Sequence, residues 1–240
     1  YSFQSFIDDN DQNTIESYVT RIRTALKNKQ YVQATNLWGS TEGIVSKLTG
    51  GVDWYNVMSD GSSQVQSTNL MSSKFQQLNS ERVTPIQITN LQPFHADDLT
   101  SLMNGPIRRK LGIIPNNVNW GGQSGLVFDS LSADFMLPVV NDVDYLLNRT
   151  NLKVVVYTGQ LDLIVDTLGT LNWVNSLKWP YINEFSRSNK KFLMGNQGQL
   201  FGYKKSYKNF QFYWILKAGH MVPSDAGKAA IVMLKQIIQN

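Results

Sequence analysis

The 240 residues contain no cysteine. That excludes disulfides and a thiol nucleophile within this chain and leaves the redox compartment open, since secreted proteins need not carry disulfides. Histidine is nearly absent too: His95 and His220 are the only two. Two distant imidazoles without thiols make a poor ligand set, so no metal and no cofactor is expected. No apolar run reaches the roughly 18 residues that suggest a membrane span. A dominant charge is also missing, because 22 basic residues stand among 18 acidic ones for a formal charge of +4. The densest basic group, Lys204-Lys205-Ser206-Tyr207-Lys208, is short. It reads as a solvated loop or hairpin end, and without a nucleic-acid fold signature beside it no nucleic-acid partner is expected. The remaining composition, 42% hydrophobic and 17% charged, suits a chain that buries a core.

Also lacking is a Gly-x-Ser-x-Gly elbow. The nearest imitation, Gly121-Gly122-Gln123-Ser124-Gly125, lacks one residue of the spacing and has no apolar strand before it. Ser124 therefore reads as a loop residue, not as a nucleophile raised on a strand–turn–helix bend.

The first half of the chain patterns as helix and irregular segments. Asn13-Thr14-Ile15-Glu16 is a capping pattern ahead of Ile15, Tyr18, Val19, Ile22 and Leu26 at helical spacing. A second helix is expected around Tyr31, Ala34, Leu37 and Trp38. A third carries Ile44, Val45 and Leu48 and stops at Gly50-Gly51. Residues 52–92, rich in Ser, Asn and Gln, read as an irregular excursion, and short helices follow near 96–103 and 106–111, the latter opened by Pro106. The second half patterns as α/β, with strands at 152–157, 191–194 and 211–216. Helices are expected near 130–147, with Pro138 imposing a kink or a late start, near 168–177, and from Pro223 to Ile238. In that last helix Ala226, Ala229, Ala230, Met233, Leu234 and Ile237 face the core.

Two strand ends carry candidate chemistry. Leu152-Lys153-Val154-Val155-Val156-Tyr157 suits a strand buried on both faces of a parallel sheet. Thr158-Gly159 end it, and Asp162 follows among apolar residues, where a carboxylate needs a partner. Phe212 to Leu216 leads to Gly219 and then His220, with Pro223 opening the next helix. A histidine held at a strand end is placed as a hydrolase places its general base; on its own, the more common reading is a loop histidine satisfying backbone groups. An acid after one strand end and a histidine after another is how an α/β sheet assembles an acid–base pair, in the order acid then histidine. Asp166, four residues on, is the rival acid but reads as a helix N-cap. Asp225 reads as a first-turn carboxylate favoured by the helix dipole. His95 reads as a surface or capping residue.

Tyr157-Thr158-Gly159-Gln160-Leu161-Asp162-Leu163-Ile164 and Lys217-Ala218-Gly219-His220-Met221-Val222-Pro223-Ser224-Asp225 resemble the acid and histidine motifs of serine carboxypeptidases, and most of all their retinoid-inducible branch. Met103-Asn104-Gly105-Pro106-Ile107-Arg108, Trp120-Gly121-Gly122-Gln123 and Lys205-Ser206-Tyr207-Lys208-Asn209-Phe210 extend the likeness over most of the chain from about residue 20. The resemblance implies the C-terminal part of an α/β-hydrolase fold with a helical cap insertion. Residues 1–127 would be the cap region and 128–240 the part of the core that carries the acid and histidine. It further implies Asp162 as the orienting acid, His220 as general base and then acid, and Ile164, Val165 and Met221 lining substrate pockets. The plain alternative for those three is core packing. Val165 departs from the cysteine common at that position, which affects side-chain preference and leaves the acid and histidine in place.

In this family the nucleophilic serine lies in an elbow upstream of everything seen here. The expectation is therefore a two-chain enzyme acting on peptides, cut from one precursor. The partner would be its N-terminal chain, supplying the serine and the missing strands of the sheet. Tyr1 begins mid-sequence, which suits a processed chain. The sequon Asn148-Arg149-Thr150 makes Asn148 a glycosylation candidate and points to a secreted or lysosomal protein. Two other classes compete: a catalytically inactive binding or structural relative, and an esterase or acyltransferase of the same fold.

Overall fold

The computed structural model describes residues 6–59, 100–121 and 125–239. These fall into two compact units, one of residues 6–44 with 100–136 and one of 45–59 with 137–239. His95, Ser124 and most of the excursion expected at 52–92 lie outside the described residues.

In the first unit, helix α1 (Asp9–Lys27) begins a turn earlier than the Asn13–Glu16 pattern suggests. The Asp8 carboxylate accepts the Asp11 N–H at 2.9 Å, and the Asp11 carboxylate accepts the Asp8 N–H at 3.1 Å. This reciprocal box satisfies two of the donors a helix start leaves open. Helix α2 (Tyr31–Leu48) is continuous where two helices were expected. Gly39 and Gly43 sit inside it at a cost of about 1 kcal/mol each relative to alanine, which tertiary burial overrides. Ala34 and Thr35 are buried, and the Thr35 hydroxyl donates to the Ser132 carbonyl at 2.8 Å. Trp38 packs on Phe135 with centroids 4.7 Å apart. Glu42 is buried as well, and desolvation pushes its carboxyl up to about 8. The stop at Gly50-Gly51 is as expected: both adopt positive φ, 71° and 96°.

Pro106 does not open a helix. It lies inside a π-turn, Met103–Ile107, that runs on into α3 (Arg108–Leu111). Proline has no N–H for a regular i→i−4 bond, and the wider turn absorbs it. Two of the motifs noted in the sequence meet here. The Asn104 amide donates to the Trp120 carbonyl at 2.8 Å, and its oxygen accepts the Trp120 N–H at 2.7 Å. The Arg108 guanidinium donates to the carbonyls of Pro115 and Val118. Met103, Ile107, Leu111, Val118 and Trp120 line a groove of about 550 Å³ beside them. Helix α4 (Gly125–Ser130) follows.

The second unit runs α5 (Val140–Arg149), β1 (Val154–Gly159), α6 (Thr167–Asn175), α7 (Ile182–Arg187), β2 (Lys191–Met194), β3 (Leu200–Tyr207), β4 (Phe210–Ile215), α8 (Val222–Asp225) and α9 (Gly227–Gln239). Of the kink and the late start offered for the 130–147 helix, the structure takes the late start, after Pro138. Consequently Leu131, Phe135 and Val139 are exposed, and only Leu147 of the expected apolar face is fully buried. Among the described residues the sheet order is β1-β4-β3-β2, with β1 parallel to β4 and the other pairs antiparallel. Strand β3 was not expected. Its lysines, serine and glycine dilute the alternation, yet it pairs with both neighbours. The basic group of its last residues and turn is a hairpin end, but one used in packing: Lys204 lies over Tyr213, Lys205 over Phe185 and Lys208 over Tyr181.

Alternation along β4 builds a core on each face. Phe210 and Phe212 pack with Leu147, Val174, Leu177, Trp179 and Phe185. Tyr213 and Ile215 pack with Leu193, Ala218, Val222, Ala229 and Met233. Helices α5 and α6 touch β1 and α7 touches β3, while α9 touches β2 and β4. This is the doubly covered arrangement that apolar strands such as β1 and β4 require. The closing helix is broken at Ala226, whose φ of −135° separates α8 from α9. Leu234 points away from the core that Ala229 and Met233 enter.

Candidate active site

Parallel neighbours finish at the same sheet edge. The register Gly159↔Ile215 therefore delivers the loop after β1 and the loop after β4 to one place. The two loops bind directly: Gln160 N–H donates to the Ile215 carbonyl at 2.9 Å and Leu161 N–H to the Ala218 carbonyl at 2.8 Å. Such contact demands glycine. A β-carbon on Gly159 would lie 2.1 Å from the Gly219 oxygen, and one on Gly219 would lie 2.0 Å from the Tyr55 oxygen.

Asp162 and His220, 58 residues apart, meet across these loops with His220 Nδ1 3.0 Å from Asp162 Oδ2. A carboxylate only accepts, so the Nδ1–H donates. The second carboxylate oxygen accepts the Val165 N–H at 3.0 Å. The Asp162 side chain is 5% exposed and the imidazole 38%. The acid is thus held out of water with both oxygens engaged, while the ring reaches solvent. This arrangement can fix one tautomer and steady an imidazolium. Asp166 turns elsewhere, capping α6 by accepting the Gly169 N–H at 2.9 Å.

Ile164 is half-buried, while Val165 and Met221 are exposed beside the pair and are not core residues. Asn148, on the last turn of α5, is exposed, and its amide donates to the Asp144 carbonyl at 2.8 Å. Among the described residues no three His, Asp or Glu side chains gather to hold a metal ion, and no helix is long and apolar enough to cross a membrane.

Sequence reasoning missed a third segment. Asp53 to Ser59 lies in what read as irregular chain, yet it underpins both loops. The Trp54 carbonyl accepts the N–H groups of Leu163 and Ile164 at 3.0 and 2.9 Å, Val57 N–H donates to the Leu161 carbonyl at 3.0 Å, and the Tyr55 carbonyl accepts the His220 N–H at 2.6 Å. The Tyr55 ring meets the imidazole edge-on at 5.3 Å. Asp53 fixes the segment itself, accepting the N–H of Tyr55 at 2.7 Å and of Asn56 at 3.2 Å on one oxygen and the Ser59 hydroxyl at 2.7 Å on the other. An Asp three residues before an Asn, just after Gly50-Gly51, was the available signal for such an Asx-type turn.

The family model described as serine carboxypeptidase matches residues 1–240. The chain belongs to the serine carboxypeptidase family. It is 40% identical to the retinoid-inducible serine carboxypeptidase of Rattus norvegicus over 237 residues, covering 98% of this chain and 51% of that protein. Identity to the Homo sapiens counterpart is 41% over 237 residues, with the same coverage. The serine carboxypeptidase-like 51 protein of Arabidopsis thaliana is 38% identical, covering 98% of this chain and 52% of its own length. Among solved structures, a prohormone-processing carboxypeptidase from Saccharomyces cerevisiae matches with a TM-score of 0.70 at 16% identity, over 99% of this chain and 50% of that one. That likeness shows a shared α/β fold. This serine carboxypeptidase chain spans about half the length of the curated relatives it matches.

Proposed function

We propose that the chain is the C-terminal part of a peptidase that removes C-terminal residues from peptides by a Ser-His-Asp mechanism. The observation that carries this reading is the 3.0 Å contact between a buried Asp162 and a half-exposed His220 at the shared edge of parallel strands. With Nδ1 engaged by the acid, Nε2 takes the proton of the attacking serine and returns it to the leaving amine. The serine comes from the N-terminal chain of the same precursor, whose strands continue the sheet beyond β1. Residues 1–127 are the cap region, apart from Asp53–Ser59, which supports the site loops, and Ile164, Val165 and Met221 line the substrate pockets. Asn148 is the glycosylation site of a two-chain enzyme of the secretory pathway, secreted or lysosomal, a reading supported by its sequon and its exposure.

Labelling the purified native protein with a serine-reactive fluorophosphonate, followed by denaturing electrophoresis and intact mass, tests this. Label on a smaller companion chain supports the two-chain enzyme. No label on any chain of a folded sample rejects it in favour of an inactive relative.

A further inference from the structure

His220 is held through its own backbone as well as by Asp162, and the groups that hold the backbone converge on one carboxylate. The Asp225 side chain folds back from the end of α8, so its role is not that of a free first-turn charge. Its Oδ2 accepts the Gly219 N–H at 2.8 Å and the Asn56 amide at 3.2 Å. Gly219 immediately precedes the histidine, and Asn56 immediately follows the residue whose carbonyl accepts the His220 N–H at 2.6 Å. One atom of Asp225 thus ties together the two backbone strips whose separation sets where the imidazole sits. The strips are already at the limit of approach. Besides the Tyr55 oxygen, a β-carbon on Gly219 would meet Asn56 Cα at 2.9 Å.

We infer that Asp225 is a positioning residue for His220, acting through Gly219 and Asn56 to hold the imidazole in register with Asp162. This rests on His220 being the general base. A small displacement of a catalytic group costs rate far more than it costs binding, so the signature of lost positioning is a fall in kcat. The Asp225 charge is not what the geometry uses, because an amide oxygen in the same place accepts both hydrogen bonds.

The test uses the full-length protein and an N-blocked dipeptide substrate, comparing Asp225→Ala and Asp225→Asn with wild type and with His220→Ala. Asp225→Ala is expected to lower kcat by about 10- to 100-fold with KM within about twofold and melting little changed. Asp225→Asn is expected to restore most of the rate. Unchanged kcat in Asp225→Ala, or no rescue in Asp225→Asn, overturns the proposal. If Asp225→Ala does not fold, Asn56→Ala takes its place, and unchanged kcat there has the same meaning. An inactive His220→Ala beside a fully active Asp225→Ala overturns this inference alone, whereas a fully active His220→Ala overturns it together with the general-base reading.

Discussion

A β-carbon placed on Gly159 would fall 2.1 Å from the carbonyl oxygen of Gly219, so the last residue of β1 touches the residue before His220 backbone to backbone. Nothing flexible stands between them to move aside. Gly159→Ala is therefore expected to part the two loops and lower stability by about 1–3 kcal/mol or more, as overpacking does. Thermal unfolding of the full-length protein checks this. A melting temperature within a degree of wild type would contradict the close approach.

Asp162→Asn keeps the shape of the acid but lets its amide face the imidazole. The expected result is loss of kcat by about 10⁴-fold, the size associated with a wrongly oriented tautomer in a triad of this type. His220→Ala should abolish turnover, and both variants should stay folded. Steady-state kinetics with circular dichroism decide; normal turnover in either variant removes that residue from the mechanism.

Glu42 gives stability a slope with pH. Its carboxyl is raised by burial from 4.5 to about 8, so the folded state holds the proton more tightly than the unfolded chain. The stabilisation is complete below about 4.5 and is lost as pH rises through about 8. Relative to Glu42→Gln, wild type should weaken over that window, by at most about 5 kcal/mol at 1.36 kcal/mol per pKa unit. Urea unfolding of both proteins at several pH values measures the difference. Parallel stability curves would show that Glu42 ionises freely in the fold.

Phe185 is buried at the junction of α7 with the sheet, stacked edge-to-face on Phe210 at 4.9 Å and overlaid by Lys205. Phe185→Ala should cost about 3–5 kcal/mol through the cavity it leaves. Lys205→Met, which keeps most of the stem packing, should cost under about 1 kcal/mol. Chemical unfolding of the two variants separates burial from the cation–π contact.

The acid and histidine were legible because each follows a short apolar run and a glycine, and because pairing β1 beside β4 in parallel brings their ends together. The helix-capping role of Asp166 was legible too, from a carboxylate standing just before the helical pattern that begins at Leu168. Strand β3 was not. Its stability comes from two partners and from lysine stems laid on rings, neither visible in a window of eight residues. The continuity of α2 was hidden by Gly39 and Gly43, whose local preference is outweighed by burial of Ala34 and Thr35. The support from Asp53 to Ser59 was hidden most deeply. Its support of the loops resides in main-chain groups, which every residue possesses, and only the turn itself left a side-chain signal, through Asp53.

The sheet order also sets a sequence of events. Strands β3 and β4 are joined through Tyr207↔Phe210 with only Lys208 and Asn209 between them, a closure that costs little chain entropy and forms early. Strand β1 must close a far longer loop to reach β4, and the contact it completes joins residues 58 apart. The strand that leads to His220 is thus paired locally, whereas the groups that hold that residue, Asp162 and the Tyr55 carbonyl, are both non-local contacts. The acid–histidine pair is therefore expected to be among the later features to form, because everything that positions it depends on these long-range contacts.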